Sequence, residues 1–366
     1  MATGCDPMSA LAASLRAVRG SFTLDAALNV RDGEVLALLG PNGAGKSTVL
    51  ALLAGLRAPE LGYVQVGDRT LTRIRPGERS IVVPPEKRGI GLLGQDPRLF
   101  PHLDVAANVA FGPRSQGASA VQAADTAREW LERVGLADAG GRMPAQLSGG
   151  QQQRAAIARA LAARPEVLLL DEPLASLDVQ TAPAIRELLR TTLREAGTTA
   201  VIVTHDVLDA IVLAGRTAVL ESGRIAQEGT TAQLLSAPTT PFTARIAGVN
   251  LVIGVGDRGR VRVADVLFSA PADATPILDG GPSAAVFRPS SVIVSLTRAE
   301  GSSVRNQWQA VIEALEPTES GIRVRTGPIP VAADVTPATV AELSLAVGSP
   351  VWLAVKAAEV AIHPTA

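Results

Sequence analysis

The sequence has little cysteine, few aromatic side chains and almost no lysine. Its one cysteine, Cys5, excludes an intramolecular disulfide framework and a metal site built from cysteines. Aromatic residues make up 3% of the chain, and only three of its 34 basic residues are lysines. Acidic residues number 35, so the formal charge is -1 and the chain lacks the basic excess that non-specific nucleic-acid binding requires.

Long apolar runs are also missing. No stretch of about 18 uncharged apolar residues occurs, so we expect no membrane-spanning segment. Residues 1–10 lack the basic start and apolar run of a secretory signal, so we expect a cytoplasmic location. With 366 residues, 47% of them apolar, the chain is long enough for two or three domains with buried cores.

Residues 1–240 alternate short apolar runs with helix-like segments. Runs rich in Val, Ile and Leu predict strands buried on both faces at 34–40, 166–171 and 199–205. Helices are predicted at 46–56, 150–163, 182–196 and 207–213. This alternation predicts an α/β domain with a largely parallel sheet, followed by a hairpin that turns at Ser222-Gly223.

The composition changes after residues 238–241, which read Pro-Thr-Thr-Pro. From Gly248 onward, short alternating runs between Gly and Pro turns predict a small, barrel-like β region. The runs lie at 259–265, 283–287, 291–296, 309–315, 321–325 and 350–356. We therefore predict a nucleotide-binding domain at 1–240, a linker and β-rich segment at 241–300, and a small β-barrel at 301–366.

A phosphate-binding loop lies between the first predicted strand and its helix. The sequence G-x-x-x-x-G-K-S is formed by Gly40, Pro41, Asn42, Gly43, Ala44, Gly45, Lys46 and Ser47, with Thr48 next to it. Glycines let the backbone N–H groups turn toward phosphate oxygens, and the helix N-terminus adds partial positive charge. This pattern predicts that Lys46 reaches the terminal phosphates of ATP and that Ser47 binds Mg²⁺.

An acidic pair ends the second predicted strand. Asp171 and Glu172 follow an apolar run, and the carboxyl end of a parallel strand lies beside the first strand–helix loop, where ligands bind. We predict that Asp171 holds Mg²⁺ and that Glu172 orients or deprotonates the attacking water.

The ordered motifs between Gly40 and His205 resemble those of the ABC transporter ATPases. Besides the phosphate loop and the acidic strand, they are the signature sequence at Leu147-Ser148-Gly149-Gly150-Gln151, a D-loop at Ser176-Leu177-Asp178, a switch histidine at His205, and a Q-loop at Gly94-Gln95-Asp96. The resemblance implies an α/β P-loop fold with a helical signature subdomain. It also implies a homodimer in which each ATP lies between two protomers.

The same resemblance implies roles for individual residues. Gln95 would contact Mg²⁺ and the attacking water, and His205 would hydrogen-bond the γ-phosphate. The residues that would contact ATP held by the partner protomer are Ser148, Gly149, Gly150, Gln151 and Asp178. In this family an aromatic side chain near the chain start usually stacks on adenine; Phe22 and Arg19 are the candidates for that position here.

The C-terminal sequence resembles the Mop/TOBE-type domain, a small OB-like β-barrel at the tail of molybdate importer ATPases. The resemblance rests on Ser303-Val304-Arg305-Asn306 and on residues 355–360, although Ala357 stands where that family often has Thr. It implies an oxyanion site for molybdate made from Ser303, Arg305, Asn306 and Lys356. Hydroxyl, guanidinium, amide and ammonium groups are suitable donors for a dianion.

Together these resemblances imply the ATPase subunit of an ABC importer for molybdate or tungstate, peripheral at the cytoplasmic face of the cell membrane. Its partners would be a second copy, two membrane-spanning permease subunits and an extracytoplasmic solute-binding protein, with no nucleic acid. One alternative is an importer ATPase for sulfate, ferric iron, a sugar or a polyamine, whose β domain only regulates or stabilises the dimer. Others are an ABC protein without a membrane partner and a molybdenum storage or sensor protein.

Overall fold

The computed structural model describes residues 9–271 and 276–365. The chain divides into two compact units between Thr231 and Ala232. Cys5 and the residues around it lie outside the described part, so the expectations built on them stay predictions.

Strands of the first unit form two sheets. In chain order they are β1 (Ser9–Arg19), β2 (Phe22–Arg31), β3 (Val35–Leu39), β4 (Leu61–Val66), β5 (Arg69–Ile74), β6 (Ile81–Val82), β7 (Ile90–Leu93), β8 (Val167–Asp171), β9 (Thr199–Val203), β10 (Arg216–Glu221) and β11 (Arg224–Gly229). The helices are α1 (Lys46–Ala54), α2 (Val105–Ser115), α3 (Ala120–Arg133), α4 (Gly149–Ala162), α5 (Ala182–Glu195) and α6 (Val207–Leu213), and α7 (Thr231–Ser236) begins at the last residue of this unit.

The larger sheet has the order β11-β10-β3-β9-β8-β7, and its pairings are parallel except in the β10–β11 hairpin. Successive residues of a strand point to opposite faces. In β8, Leu168 and Leu170 belong to one apolar core, whereas Val167 and Leu169 belong to the other. Both faces of this sheet are therefore covered, which explains why its strands read as unbroken apolar runs.

An antiparallel sheet that the sequence reasoning did not predict has the order β2-β1-β4-β5-β6. Its signal is visible in β2, where buried Leu24, Ala26, Leu28 and Val30 alternate with more exposed residues. These side chains share a core with α1 and with one face of the parallel sheet. The antiparallel sheet thus supports the helix that follows the phosphate loop.

A fully buried arginine closes the C-terminal end of α1. Arg88 donates to the carbonyl oxygens of Leu53 at 2.9 Å and Val83 at 2.8 Å, and to Thr72 Oγ1 at 2.9 Å. Gly55, with φ of 78°, ends the helix, and a Cβ there would lie 2.1 Å from Arg88 Nε. A larger residue at this position would displace the arginine that satisfies the helix end.

Helices α2, α3 and α4 pack together on the other side of the parallel sheet. Val109, Ala127, Trp130 and Ile157 are buried in their common core. α3 is capped by Ser119, whose hydroxyl and backbone form a reciprocal capping box with Gln122. These helices form the predicted helical subdomain, and α4 carries the signature sequence at its N-terminal end.

The second unit contains two antiparallel sheets. Its strands are β12 (Asn250–Asp257), β13 (Arg260–Val263), β14 (Val266–Phe268), β15 (Pro282–Phe287), β16 (Ile293–Ser295), β17 (Asn306–Thr318), β18 (Gly321–Gly327), β19 (Val331–Val335), β20 (Pro350–Val355) and β21 (Ala361–Pro364), and its helices include α8 (Pro241–Ala247) and α9 (Pro337–Glu342). The sheet orders are β14-β13-β12-β15-β21 and β16-β20-β17-β18-β19.

One apolar core joins these two sheets. Phe268, Phe287 and Trp308 lie in it, with ring centroids 5.1 to 6.3 Å apart. β21 pairs with β15, and β16 pairs with β20. The boundary predicted at 300/301 therefore falls inside one compact unit, because strands from both sides of it share each sheet.

Candidate functional site

The phosphate loop runs from the end of β3 to the start of α1. Lys46 is the first residue of α1, and its buried side chain bends back so that Nζ donates to the carbonyl oxygens of Gly40 at 2.7 Å and Pro41 at 3.0 Å. Gly43 and Gly45 have φ angles of 80° and 105°, which side chains rarely adopt. The loop thus depends on its glycines for shape and holds a buried ammonium against its own carbonyls.

A cleft of about 540 Å³ opens beside this loop. Its lining residues are Arg19, Phe22, Asn42, Gly43, Gly45, Lys46, Ser47, Thr48, Gln95, Asp171, Glu172 and Val203. Pro41 and Ala44 line an adjoining cleft together with Phe22. The structure thus brings together most of the ATP and Mg²⁺ residues predicted from sequence, and places both adenine candidates at the same cleft.

The two acids at the end of β8 lie opposite the lysine. Burial raises the pKa of Asp171, and the charge of Glu172 raises it further, whereas a hydrogen bond from Ser47 and the charge of Lys46 oppose these effects. Burial lowers the pKa of Lys46, while Glu172 and Asp171 act in the other direction. A partly desolvated cation therefore faces two carboxylates across the cleft, in an arrangement suited to a polyanion with a divalent cation.

Glu172 and His205 meet above neighbouring strands. His205 Nδ1 lies 3.3 Å from Glu172 Oε1, and the Glu172 backbone N–H donates to the Val203 carbonyl at 2.8 Å. Glu172 has φ of 49°, a sparsely populated conformation for a residue other than glycine. Its side chain is 18% exposed and that of His205 is 63% exposed, so the carboxylate is held within the cleft wall while the imidazole stays accessible.

A buried polar network that sequence reasoning missed fixes the His205 loop. Thr204 Oγ1 donates to Asp209 Oδ2 at 3.0 Å and accepts from the Asp206 backbone N–H at 3.0 Å. Arg186, from α5, contacts both Asp206 and Asp209. The Thr-His-Asp sequence itself carries this signal, because a Thr or Asp beside a loop histidine is well placed to bond to the backbone.

The signature residues lie at an exposed helix start. Ser148 caps α4: its hydroxyl accepts from the Gln151 N–H at 3.3 Å, and the Gln151 side chain accepts from the Ser148 N–H at 3.0 Å. A Cβ on Gly149 would meet nothing within 4 Å. Ser148–Gln151 are not among the residues that line the phosphate-loop cleft of their own chain.

Asp178 is exposed, and its carboxylate bonds to backbone groups of the next few residues. Its carboxylate accepts from the backbone N–H groups of Gln180 at 3.1 Å and Thr181 at 2.9 Å. Hydrogen bonds from Thr181 lower its pKa, with that of the side chain contributing most. Asp178, like the signature residues, is absent from the lining of the cleft.

The four residues predicted to bind an oxyanion differ in their surroundings. Ser303, Arg305 and Lys356 are exposed. Asn306 is fully buried, accepts from the Ser269 N–H at 2.7 Å and donates to the Ser269 carbonyl at 3.0 Å. Because Asn306 pairs with Val355, Arg305 and Lys356 lie at the same end of the β17–β20 ladder. The amide, however, is committed to holding β14 against β17.

Within the described ranges, no helix combines the length and the apolar character needed to cross a bilayer. The same residues contain no cluster of three His, Cys, Asp or Glu side chains that could hold a metal ion on their own. A divalent cation at the cleft would therefore depend on hydroxyl, amide and phosphate oxygens besides Asp171.

Comparison with known proteins decides the family. A model of the ABC transporter family matches residues 24–175, and a model of the TOBE domain matches residues 302–362. The molybdenum import ATP-binding protein ModC of Mycobacterium tuberculosis is 46% identical over 363 residues, which cover 96% of this chain and 96% of that protein. The chain belongs to the ABC transporter ATPase family.

Two other relatives match less of the chain. The Fe(3+) ions import ATP-binding protein FbpC of Streptomyces avermitilis is 43% identical over 277 residues, which cover 75% of this chain and 76% of that protein. A solved structure, described as a dimeric post-hydrolysis state of the ATP-binding cassette MJ0796 bound to ADP and Pi, has 32% identity and a TM-score of 0.53, and covers 60% of this chain and 98% of that chain. The predicted fold class is confirmed: an ABC-type α/β ATPase that binds and hydrolyses ATP, with a C-terminal TOBE domain.

Proposed function

We propose that the chain is the ATP-hydrolysing subunit of a binding-protein-dependent importer that takes up molybdate or the similar oxyanion tungstate. The observation that carries this proposal is the 46% identity to ModC along 96% of both chains, which includes the C-terminal unit as well as the ATPase unit. The relative named for ferric iron covers 75% of the chain. The predicted boundary at 240/241 stays a prediction, whereas the one at 300/301 lies inside the second compact unit.

ATP would bind in the phosphate-loop cleft. The N–H groups of residues 42–48 would surround the phosphates, and Lys46 would exchange its two carbonyl partners for phosphate oxygens. We assign adenine to Phe22, since its ring lies against Gly45 and lines both clefts, with Arg19 beside it. Phe22 would stack on the flat face of adenine, and the guanidinium of Arg19 would lie against the same base. Neither contact requires a hydrogen bond to the base edge.

The residues at the cleft fit a bound magnesium ion. Ser47, Asp171 and Gln95 offer a hydroxyl, a carboxylate and an amide oxygen at one cleft, and these are the hard donors that Mg²⁺ prefers. When bound, the ion would neutralise charge on the terminal phosphates. Ser47 lies close enough to Asp171 to lower its pKa, so the hydroxyl and the carboxylate face the same part of the cleft.

Glu172 and His205 would act on the water and on the γ-phosphate. Glu172 is held close to the cleft by its backbone bond to Val203, and its free carboxylate oxygen would orient the attacking water and accept its proton. His205, which is more exposed, would donate to a γ-phosphate oxygen. Gln95, which also lines the cleft, would hold the attacking water between Glu172 and the γ-phosphate.

The active form would be a homodimer. Ser148, Gly149, Gly150, Gln151 and Asp178 lie outside the cleft of their own chain, and the exposed N-terminus of α4 offers N–H groups and partial positive charge to an anion. The dimeric relative bound to ADP and Pi supports this arrangement. ATP would then lie between the phosphate loop of one protomer and α4 of its partner.

In the cell the dimer would work at the cytoplasmic face of the membrane, bound to two permease subunits that receive molybdate from an extracytoplasmic binding protein. Closure on ATP and opening after hydrolysis would shift the permease between two states. Ser303, Arg305 and Lys356 in the second unit would hold the oxyanion, with Asn306 stabilising the fold beside them.

Calorimetry of the purified chain with molybdate, tungstate and sulfate tests the substrate assignment. Binding of molybdate and tungstate, with weaker binding of sulfate, supports it. The second candidate is an importer ATPase for another solute, favoured by the resemblance to the ferric iron import protein. Equal affinity for sulfate, or no heat with molybdate up to millimolar concentration, would favour that candidate and leave the ATPase assignment intact.

A further inference from the structure

Helix α4 contacts two separate loops of the cleft through side chains that follow its signature sequence. One contact is made by Gln153 and the other by Arg159, which lies about 9 Å further along the helix axis. Neither residue lines the cleft itself. Both donate to backbone carbonyls of segments that carry residues of the proposed reaction.

Gln153 holds the segment that follows Glu172. Its side chain is fully buried, and Nε2 donates to the Pro173 carbonyl at 2.9 Å. Pro173 directly follows Glu172, whose φ of 49° needs surroundings that hold it in place. Within the described residues, the other amide atom, Oε1, is buried without a hydrogen-bond partner. A buried amide with half of its bonding unmet costs stability, so the contact is not explained by stability alone.

Arg159 holds the loop that carries Gln95. Its Nη2 donates to the Pro97 carbonyl and its Nη1 to the Arg98 carbonyl, both at 2.9 Å. The guanidinium also lies 5.1 Å from the ring centroid of Phe100. Arg98 has φ of 44°, so this segment too contains a residue in a rarely populated conformation beside the carbonyls that α4 holds.

We propose that Gln153 and Arg159 are positioning residues that tie the Glu172 segment and the Gln95 loop to α4. A helix moves as a rigid rod over this distance, so a displacement at Ser148 reaches both loops together. Contact of α4 with ATP across the dimer would then set Glu172 and Gln95 at the same moment. The inference rests on the roles proposed above for Glu172 and Gln95.

The first test measures ATP hydrolysis and thermal stability of the full chain. Arg159→Met removes both bonds to the Gln95 loop, and we expect kcat to fall about 10-fold with KM for ATP changed less than about twofold. Arg159→Lys keeps the positive charge but lacks the two guanidinium N–H groups that reach both carbonyls, so it should recover only part of the lost kcat. Arg154→Met is the matched control, because Arg154 lies on the same helix and donates to the carbonyls of Val134 and Gly135, away from the cleft.

Gln153→Leu separates positioning from stability. The change removes the unpartnered Oε1 but also leaves the buried Pro173 carbonyl without its donor, and these two effects on stability oppose each other. We therefore expect the melting temperature to change little, while kcat falls about 10-fold because the Glu172 segment is no longer held. A fall in kcat that tracks a fall in melting temperature, or a kcat within twofold of the Arg154→Met control, would overturn the proposal.

A probe on the Gln95 loop reads the coupling directly. In a Cys5→Ser background, Asp96→Cys offers a single exposed thiol for a nitroxide label. We expect ATP to immobilise the label in wild type and in Arg154→Met, but not in Arg159→Met. A normal response in Arg159→Met would refute the coupling. Glu172→Gln tests the proposed role of Glu172 separately from the coupling. If this variant hydrolyses ATP at the normal rate, the role of Glu172 is wrong, whatever the label reports.

Discussion

His205 Nδ1 lies 3.3 Å from Glu172 Oε1 because their strands are neighbours. β8 and β9 run parallel and in register, with Asp171 opposite Val203, so the residues that follow them emerge at one edge of the sheet. The imidazole is mostly exposed, so the contact adds little stability. Its consequence is orientation, since each side chain restricts the rotamers of the other at the cleft.

The first prediction concerns Glu172→Gln. The amide keeps the shape of the side chain but cannot accept the proton of the attacking water. We expect ATP to bind normally, hydrolysis to fall about 10²-fold or more, and a closed dimer to accumulate with ATP. Turnover and size-exclusion chromatography with ATP measure these effects.

Glu187→Gln is the matched control for that experiment. Glu187 is exposed on α5 and paired with Arg190, far from the lining of the cleft. It should hydrolyse ATP at the normal rate. Wild-type turnover in Glu172→Gln would remove Glu172 from the reaction.

The second prediction concerns the signature end of α4. Ser148→Arg places bulk and positive charge at an exposed helix N-terminus that would receive an anion. We expect the variant to bind ATP through Lys46 but to remain monomeric, with hydrolysis near background. Heterodimers with Lys46→Ala should contain at most one intact site and lose at least half of the activity.

Ser119→Arg controls for the lost helix cap. Ser119 and Ser148 have the same role, since each caps a helix in a reciprocal box with a glutamine three residues later. Both variants should therefore lose a similar, modest amount of stability, about 1 kcal/mol. If Ser119→Arg impairs dimer closure as strongly as Ser148→Arg, the effect is on the helix and not on a cross-dimer contact.

The sequence predicted the parallel sheet and its helices well because their signals are local. Unbroken apolar runs locate β3, β8 and β9, and the predicted helix ends lie within one or two residues of those of α1, α4, α5 and α6. The antiparallel sheet was missed, although the alternation in β2 was legible. β1 pairs with β4, and β4 with β5, and both of these strands come after the phosphate loop. Pairing between strands so distant in sequence has no local signature.

The hydrogen-bond partners of Asn306 and Arg159 depend on tertiary packing and could not be predicted from the sequence. A motif match put Asn306 with three exposed residues, but burial of β17 turned its amide toward Ser269. Arg159 lies in a predicted helix but outside every motif found in the sequence. Its function as a double donor depends on where the loop around Pro97 lies in three dimensions.

A third prediction follows from His363 in β21. Burial lowers its pKa below the ordinary value of 6.5, and a hydrogen bond with the Pro364 carbonyl acts in the other direction. The neighbouring strand β15 carries no charge. The unfolded chain therefore binds the proton at higher pH than the folded chain. The stabilising effect is complete above pH 6.5 and is lost as the pH falls through the lowered pKa.

Urea unfolding between about pH 8 and pH 5 measures this effect. In a Trp130→Phe background, fluorescence from Trp308 and Trp352 follows the second unit. His363→Gln should reduce the loss of stability at low pH, whereas His102→Gln, at an exposed loop position, should behave like the parent chain. Equal pH slopes in the parent and His363→Gln would contradict the prediction.

The last prediction concerns the oxyanion residues. Arg305 and Lys356 are exposed at one end of the β17–β20 ladder, so both charges are available to a dianion. Arg305→Ala or Lys356→Ala should weaken molybdate binding by about 1.5–3 kcal/mol, the usual scale for a hydrogen bond to a charged group, with no change in the melting temperature. Arg258→Ala, at an exposed turn of the other sheet, is the control with the same loss of charge.

Asn306→Ala should behave in the opposite way from these two variants. It leaves the partly buried N–H and carbonyl of Ser269 without partners, so we expect the second unit to lose about 1–3 kcal/mol of stability. Molybdate affinity of the fraction that stays folded should change little. The full chain is required, because β15 and β16 pair with strands beyond residue 300. If Asn306→Ala loses molybdate binding without losing stability, its amide faces the ligand, and the site includes all four predicted residues.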